Sequence, residues 1–169
     1  MNGGSSLSPQ ATDVQAVAAI GKVAFAGTWK HGLFVSRDSG ARFQRQADFP
    51  SSDIRSFRVV GTGPDKVIYA ATARDGVFRS SDSGVTWSPL GPGSDFFWSL
   101  SADDKHVYAV SLEKAVYRRG FEVGSWQKVF DGDDAYALAS SPSGRALAIA
   151  AQRCTPGVVR VLVDAGADA

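Results

Sequence analysis

Short apolar runs with period-two alternation recur along the chain and set its organisation. Four of them, VAFAGTW (23–29), VIYAATA (67–73), HVYAVSL (106–112) and ALAIAAQ (146–152), combine β-branched, aromatic and small residues and are too short for helices. Upstream of each lies a run with the pattern apolar, variable, small, apolar: Val14-Gln15-Ala16-Val17, Ile54-Arg55-Ser56-Phe57, Phe97-Trp98-Ser99-Leu100 and Ala135-Tyr136-Ala137-Leu138. Downstream comes a third run that ends in a turn: GLFVSRDSGARF (32–43), GVFRSSDSGVTW (76–87), AVYRRGFEVGSW (115–126) and GVVRVLVDAGADA (157–169). Placing Asp38 on Asp82 superposes Gly40 on Gly84 and Phe43 on Trp87. The third copy keeps Ser125 and Trp126 but has Phe121 in the acid's place, and the fourth keeps Asp164 and Gly166. The offsets of 44, 39 and 43 residues match the length of one four-stranded propeller blade.

The pattern predicts an all-β fold: a β-propeller of about four four-stranded antiparallel blades, with fifteen or sixteen short strands and essentially no helix. One domain over 1–169 divides into blades at about 13–49, 53–92, 95–131 and 134–169. Within each blade the strands run A, B, C, D, and D follows the aromatic of the third run. The sequence stops at Ala169, where strand D of the fourth blade is due, and residues 3–9 are the candidate closing strand. Three arrangements follow: a closed four-bladed ring, a half-propeller completed by a second copy, or a fragment of a larger propeller. An open array would expose strand edges and apolar blade faces, which disfavours a bare monomeric fragment.

The segment Ser80-Ser81-Asp82-Ser83-Gly84-Val85-Thr86-Trp87 resembles the Asp-box motif (bacterial neuraminidase repeat), S-x-D-x-G-x-T-W, at every fixed position. Ser36–Phe43 is a second match, with Arg42 in the Thr place and Phe43 in the Trp place. The resemblance covers nearly the whole chain and implies a propeller. It implies no single function, because the family spans sialidases, xyloglucanases, sortilin-type receptors and photosynthetic assembly factors. In that family the box is a structural turn between strands C and D, away from the ligand face. The residue types suit such a turn: the Asp oxygens accept buried backbone N–H groups, Gly84 permits positive φ, and Trp87 packs between blades. A calcium reading of Asp38 and Asp82 fits poorly, since each turn supplies one carboxylate where calcium takes six or more oxygens.

Charge and composition exclude more than they identify. Eighteen Lys and Arg against 17 Asp and Glu leave a formal charge of +1, so no field favours nucleic acid or an anionic membrane. No apolar run reaches the length of a membrane span, and the first residues lack the basic and apolar regions of a signal peptide. The compartment is left undefined. Eighteen glycines in 169 residues, about 11%, exceed the usual ~7% and suit a turn-rich β fold. The lone Cys154 forms no internal disulfide and has no motif marking it as a nucleophile; His31 and His106 fall in different blades, so no metal or cofactor site is expected.

Strand direction alternates, so the D–A and B–C connections share one rim and the A–B and C–D connections share the other. The first rim receives the variable position of each A strand: Gln15, Arg55, Trp98 and Tyr136. Its B–C loops add Trp29, Lys30 and His31, then Arg74 and Asp75, then Glu113 and Lys114, then Arg153. Aromatics mixed with cations fit sugar stacking and carboxylate or protein recognition; the competing roles are channel filling for Trp98 and Tyr136, and plain solvation for Lys30, Arg74 and Arg153. Asp53, Asp95 and Asp134, each just before an A strand, with Asp13 equivalent, read as turn residues. Arg55, Arg74, Arg153, Tyr136 and Asp75 supply the residue types of a sialidase without its motifs, and no catalytic residue is assigned. The expectation is a non-catalytic scaffold that binds a protein or glycan on this rim. The alternatives are a truncated or divergent sialidase-like glycoside hydrolase, and a folding unit or assembly factor with no small-molecule ligand.

Overall fold

The computed structural model describes residues 13–91, 96–113, 115–121, 124–131, 135–141, 146–151 and 159–163. The closing strand expected at 3–9, and Asp95, Lys114, Asp134, Arg153, Cys154, Asp164 and Gly166, lie outside the described residues, as does the side chain of Tyr136. The described residues form fifteen strands and one 3-10 turn, at Gly63–Asp65. None of their helices is long and apolar enough to cross a membrane. The chain divides into two compact units, Met1–Phe96 and Phe97–Ala169.

The first unit holds two sheets. One is β1 (Val14–Ile20), β2 (Val23–Thr28), β3 (Leu33–Ser36) and β4 (Gln44–Arg45), paired antiparallel in chain order. The other is β5 (Ile54–Val60), β6 (Val67–Thr72), β7 (Val77–Ser80) and β8 (Ser88–Gly91), paired the same way. Alternation along each strand sends one set of side chains into the space between the sheets. Phe25, Leu33 and Val35 of the first sheet meet Ile54, Ile68, Ala70 and Phe78 of the second, with Ile20 and Phe49 in the same core and Phe57 and Trp87 packed against it. Gly27 permits this approach: a β-carbon there would come within 2.5 Å of Ile54 Cγ2.

The second unit repeats the plan. Strands β9 (Phe97–Ala102), β10 (His106–Ser111), β11 (Val116–Gly120) and β12 (Gln127–Phe130) form a four-stranded antiparallel sheet, and β13 (Ala135–Ser140), β14 (Ala146–Ala151) and β15 (Val159–Val163) form a three-stranded one. Tyr108, Val110, Val116 and Ala135 make one buried cluster, with Val129, Phe130 and Leu138 packed against them, and Phe97, Leu100 and Val107 are buried as well. The Ser101 and Ser140 hydroxyls lie 2.8 Å apart, and the Ser140 amide donates to Ser101 Oγ, so the first strands of the two sheets are tied directly.

Candidate functional site

Every first strand carries a β-bulge at the same place. Val14 and Ala16 pair with the consecutive residues Thr28 and Gly27, so Gln15 is the extra residue. Arg55 is extra between Ile54 and Ser56, Trp98 between Phe97 and Ser99, and Tyr136 between Ala135 and Ala137. These are the variable positions of the repeat. A bulged residue leaves the alternation of the pleat and is re-aimed, which frees it from the packing that keeps its neighbours small or apolar. Gln15 is exposed, while Arg55 and Trp98 are half-buried.

The turns after the second strands are built to one design. The hydroxyls of Thr28, Thr72 and Ser111 donate to the carbonyls of Gly32, Gly76 and Ala115, at 2.7, 2.8 and 3.5 Å. The turns then dock on the segments that enter the first strands. Trp29 N donates to the Asp13 carbonyl and Ala73 N to the Asp53 carbonyl, at 2.9 and 3.0 Å. Gly32 N reaches the Ser52 carbonyl, and Lys30 N reaches Asp53 Oδ1 at 2.8 Å. This last bond holds Lys30 at φ +72, a left-handed conformation uncommon for a residue with a β-carbon.

Three of the expected rim residues meet here. The Arg55 guanidinium lies 5.0 Å from the centre of the Trp29 ring and 5.1 Å from that of Phe96, and the Lys30 ammonium lies 5.1 Å from the Trp29 ring. These are cation–π separations. Trp29 keeps 43% of its surface exposed. Arg74 is exposed on the equivalent turn of the second sheet, beside Asp75, whose amide donates to Thr72 Oγ1. Gln15 is on the bulge of β1, while Trp98 and Tyr136 hold their bulges in the second unit. Sequence reasoning missed Phe96. The signal was available: Asp13 and Asp53 immediately precede β1 and β5, and the residue immediately before β9 is Phe96 rather than Asp95.

The opposite rim carries the S-x-D-x-G turns. Ser39 N donates to the Lys22 carbonyl and, in the third copy, Phe121 N to the Lys105 carbonyl, which sets both turns beside the links between first and second strands. Asp82 accepts from Ser80 Oγ at 2.7 Å, from Val85 N at 3.0 Å, and from Thr86 N and Thr86 Oγ1 at 2.9 and 2.6 Å. Burial pushes its carboxyl up, but the Thr86, Ser80 and Val85 bonds outweigh that and hold it at about 2. The expectation that Asp82 satisfies buried donors needs correction, because Val85 and Thr86 are exposed. The buried amide is that of Gly84, and it donates to Ser80 Oγ at 2.8 Å. Asp38 repeats the arrangement with Ser36 Oγ at 2.7 Å and Arg42 N at 2.9 Å, and the Ser36 bond leads in lowering its pKa. Phe43 is half-buried against Ala26 and Phe34, as Trp87 is against Phe25 and Phe49. In the third copy, which lacks the acid, Trp126 stacks on Phe97 with centroids 6.1 Å apart.

No protein-family model and no curated protein matches the chain. Among solved structures, the computationally designed protein Ika4 superposes with a TM-score of 0.70 at 14% identity, over 94% of this chain and 95% of its own. A GH74 xyloglucanase from Xanthomonas campestris superposes with a TM-score of 0.64 at 18% identity, over 83% of this chain and 26% of its own. YCF48 bound to D1 peptide gives 0.59 at 18% identity, over 82% of this chain and 46% of its own. The chain therefore spans nearly all of the designed protein but half or less of the other two. With the antiparallel four-stranded sheets, these likenesses define an all-β fold of β-propeller blades.

Proposed function

We propose that this chain is a non-catalytic propeller module of the Asp-box class that recognises a polypeptide segment through the rim bearing Trp29, Lys30 and Arg55. The observation that carries the reading is the half-exposed Trp29 ring, braced by the Arg55 guanidinium and the Lys30 ammonium, on a turn pinned by Asp53. A rigid aromatic flanked by cations is a typical anchor for a partner surface. The peptide-bound YCF48 structure, similar in fold, supports a polypeptide occupant. A glycan is the second reading, favoured by Trp29 as a stacking surface and by the fold likeness to a xyloglucanase.

Peptide and glycan arrays probed with the protein separate the two. Trp29→Ala is expected to weaken the recovered interaction by about 1–3 kcal/mol, a hot-spot cost, with little change in stability. Unchanged affinity in that variant would remove this rim as the binding face. Turnover of any member of a fluorogenic glycoside panel would replace the reading with that of a divergent hydrolase. The solution mass, by light scattering, tells a monomer from an assembly in which a second copy completes the blades.

A further inference from the structure

A groove of about 400 Å³ lies along β3, β4 and the turn that joins them. Arg37, Arg42 and Arg45 line it, with Gln44, Gln46 and the single carboxylate of Asp38. That carboxylate is already committed to its own turn through Ser36 Oγ and Arg42 N. Two of the arginines are held by backbone carbonyls. Arg45 Nε donates to the His31 carbonyl at 3.0 Å, and Arg37 reaches the Ser83 and Gly84 carbonyls of the next sheet at 3.4 Å. Gln46 is held through its amide to the Val85 carbonyl at 3.1 Å.

The repeat itself supplies the control. In the second blade the positions of Arg37, Arg42 and Arg45 hold Ser81, Thr86 and Pro89, and in the third blade Gly120, Ser125 and Lys128. The turn therefore does not require arginine. At position 42 arginine even sacrifices a bond: Thr86 adds a hydroxyl donor to Asp82 at 2.6 Å, while Arg42 offers Asp38 its amide alone among the described bonds. A residue that departs from the local structural optimum points to a role outside the fold.

We propose that this groove binds a sugar-sized ligand carrying a sulfate or phosphate ester. Three arginines lining one cleft favour a tetrahedral oxyanion, which offers more acceptor oxygens and more charge than a carboxylate. The volume falls within the range of small-molecule sites, and the Gln44 and Gln46 side chains supply donors and acceptors for hydroxyls.

Calorimetric titration with glucose 6-phosphate, glucosamine 6-sulfate and glucose tests the proposal on the wild type, Arg42→Thr and Arg74→Thr. Both esters are expected to bind at millimolar concentration or better, and glucose is not. The tighter ester identifies the natural source of the oxyanion. Arg42→Thr, which installs the second blade's residue, is expected to weaken ester binding about tenfold while thermal stability holds or rises. Arg74→Thr removes the same charge on the other rim and is expected to leave the affinity unchanged. Failure of both esters to bind, wild-type affinity in Arg42→Thr, or an equal loss in Arg74→Thr would each overturn the assignment. Arg42 belongs to the turn after β3 and not to the Trp29 turn, so recognition at Trp29 is tested separately.

Discussion

The ring of Phe25 fills the space that a β-carbon on Gly84 would occupy: the two atoms would stand 2.3 Å apart. Gly84 also has φ +75, so two independent constraints, one from the neighbouring sheet and one local, converge on a residue without a side chain. Gly40, its counterpart in the first turn, has φ +89 but nothing within 4 Å of the same position. Gly84→Ala is expected to cost about 2–4 kcal/mol, strain and overpacking together, and Gly40→Ala about 1 kcal/mol from strain alone. Urea denaturation of both variants checks the difference, and equal costs would mean that Phe25 moves aside.

Ser80 and Asp82 divide the work of their turn unequally. Ser80 is buried and takes the buried Gly84 amide, whereas Asp82 gathers donors that water can reach. Ser80→Ala is expected to destabilise by about 1–3 kcal/mol, the cost of a buried donor left unpaired, and Asp82→Ala by about 1 kcal/mol, because Val85 and Thr86 rehydrate. Thermal melts that ranked Asp82→Ala as the costlier change would contradict this division.

Much of this was legible in sequence, because a repeat exposes constraint by comparison. Four copies of the A-strand pattern gave the sheets, and the S-x-D-x-G spacing gave the turn and its acceptor. Two things were hidden. The variable position was visible, but its cause, a bulge at Gln15, Arg55, Trp98 and Tyr136, lies in a pairing register that only the partner strand defines. Phe96 was overlooked because its place is set by the start of β9 rather than by the nearest acid, and the residue it meets, Arg55, belongs to a different blade.

The Trp87 ring packs edge-on against Phe49 and Phe25, with centroids 5.1 and 6.3 Å apart, while its buried Nε1 has no hydrogen-bond partner among the described residues. The ring is therefore used for its shape and not for its polar atom. Trp87→Ala is expected to cost about 3–5 kcal/mol as a large truncation. Trp87→Phe, which copies Phe43 of the first blade, is expected to cost less than about 1.5 kcal/mol, since the lost volume is partly offset by removing an unpaired buried donor. Guanidinium denaturation of the pair measures both, and similar losses would show that the indole nitrogen has a partner.

Phe97 and Trp98 are adjacent aromatics with opposite duties. Phe97 is fully buried between Trp126 and Tyr117, whereas Trp98 is half-buried on the bulge. Phe97→Ala is expected to cost about 3–5 kcal/mol, and Trp98→Ala about 1–2 kcal/mol, in proportion to the smaller surface removed from water. A Trp98→Ala loss as large as that of Phe97→Ala would assign Trp98 to the core.

The last prediction concerns pH and rests on Asp103, buried in the turn between β9 and β10. Its oxygens accept from Tyr108 Oη at 2.7 Å and from the amides of Lys105 and His106 at 2.7 and 2.6 Å. Burial pushes the Asp103 carboxyl up, but the Tyr108 hydroxyl, the two amides and the His106 charge outweigh it and hold the pKa below 3.8. A carboxyl depressed in the folded state contributes stability that is complete above its unfolded value and lost as pH falls through the folded one; Asp82, at about 2, acts in the same direction. Tyr108 behaves oppositely. Burial first, and then the bond and charge of Asp103, raise its pKa above 10, so its contribution is complete below that value and lost as pH rises past it. Stability is expected to be level from about pH 5 to 9 and to fall on both sides. Tyr108→Phe removes the donor from Asp103 and the ionising phenol together, so it is expected to weaken the fold at neutral pH and to shrink the alkaline loss. Denaturation midpoints across pH for the two proteins check this, and an unchanged alkaline limb in Tyr108→Phe would place its origin elsewhere.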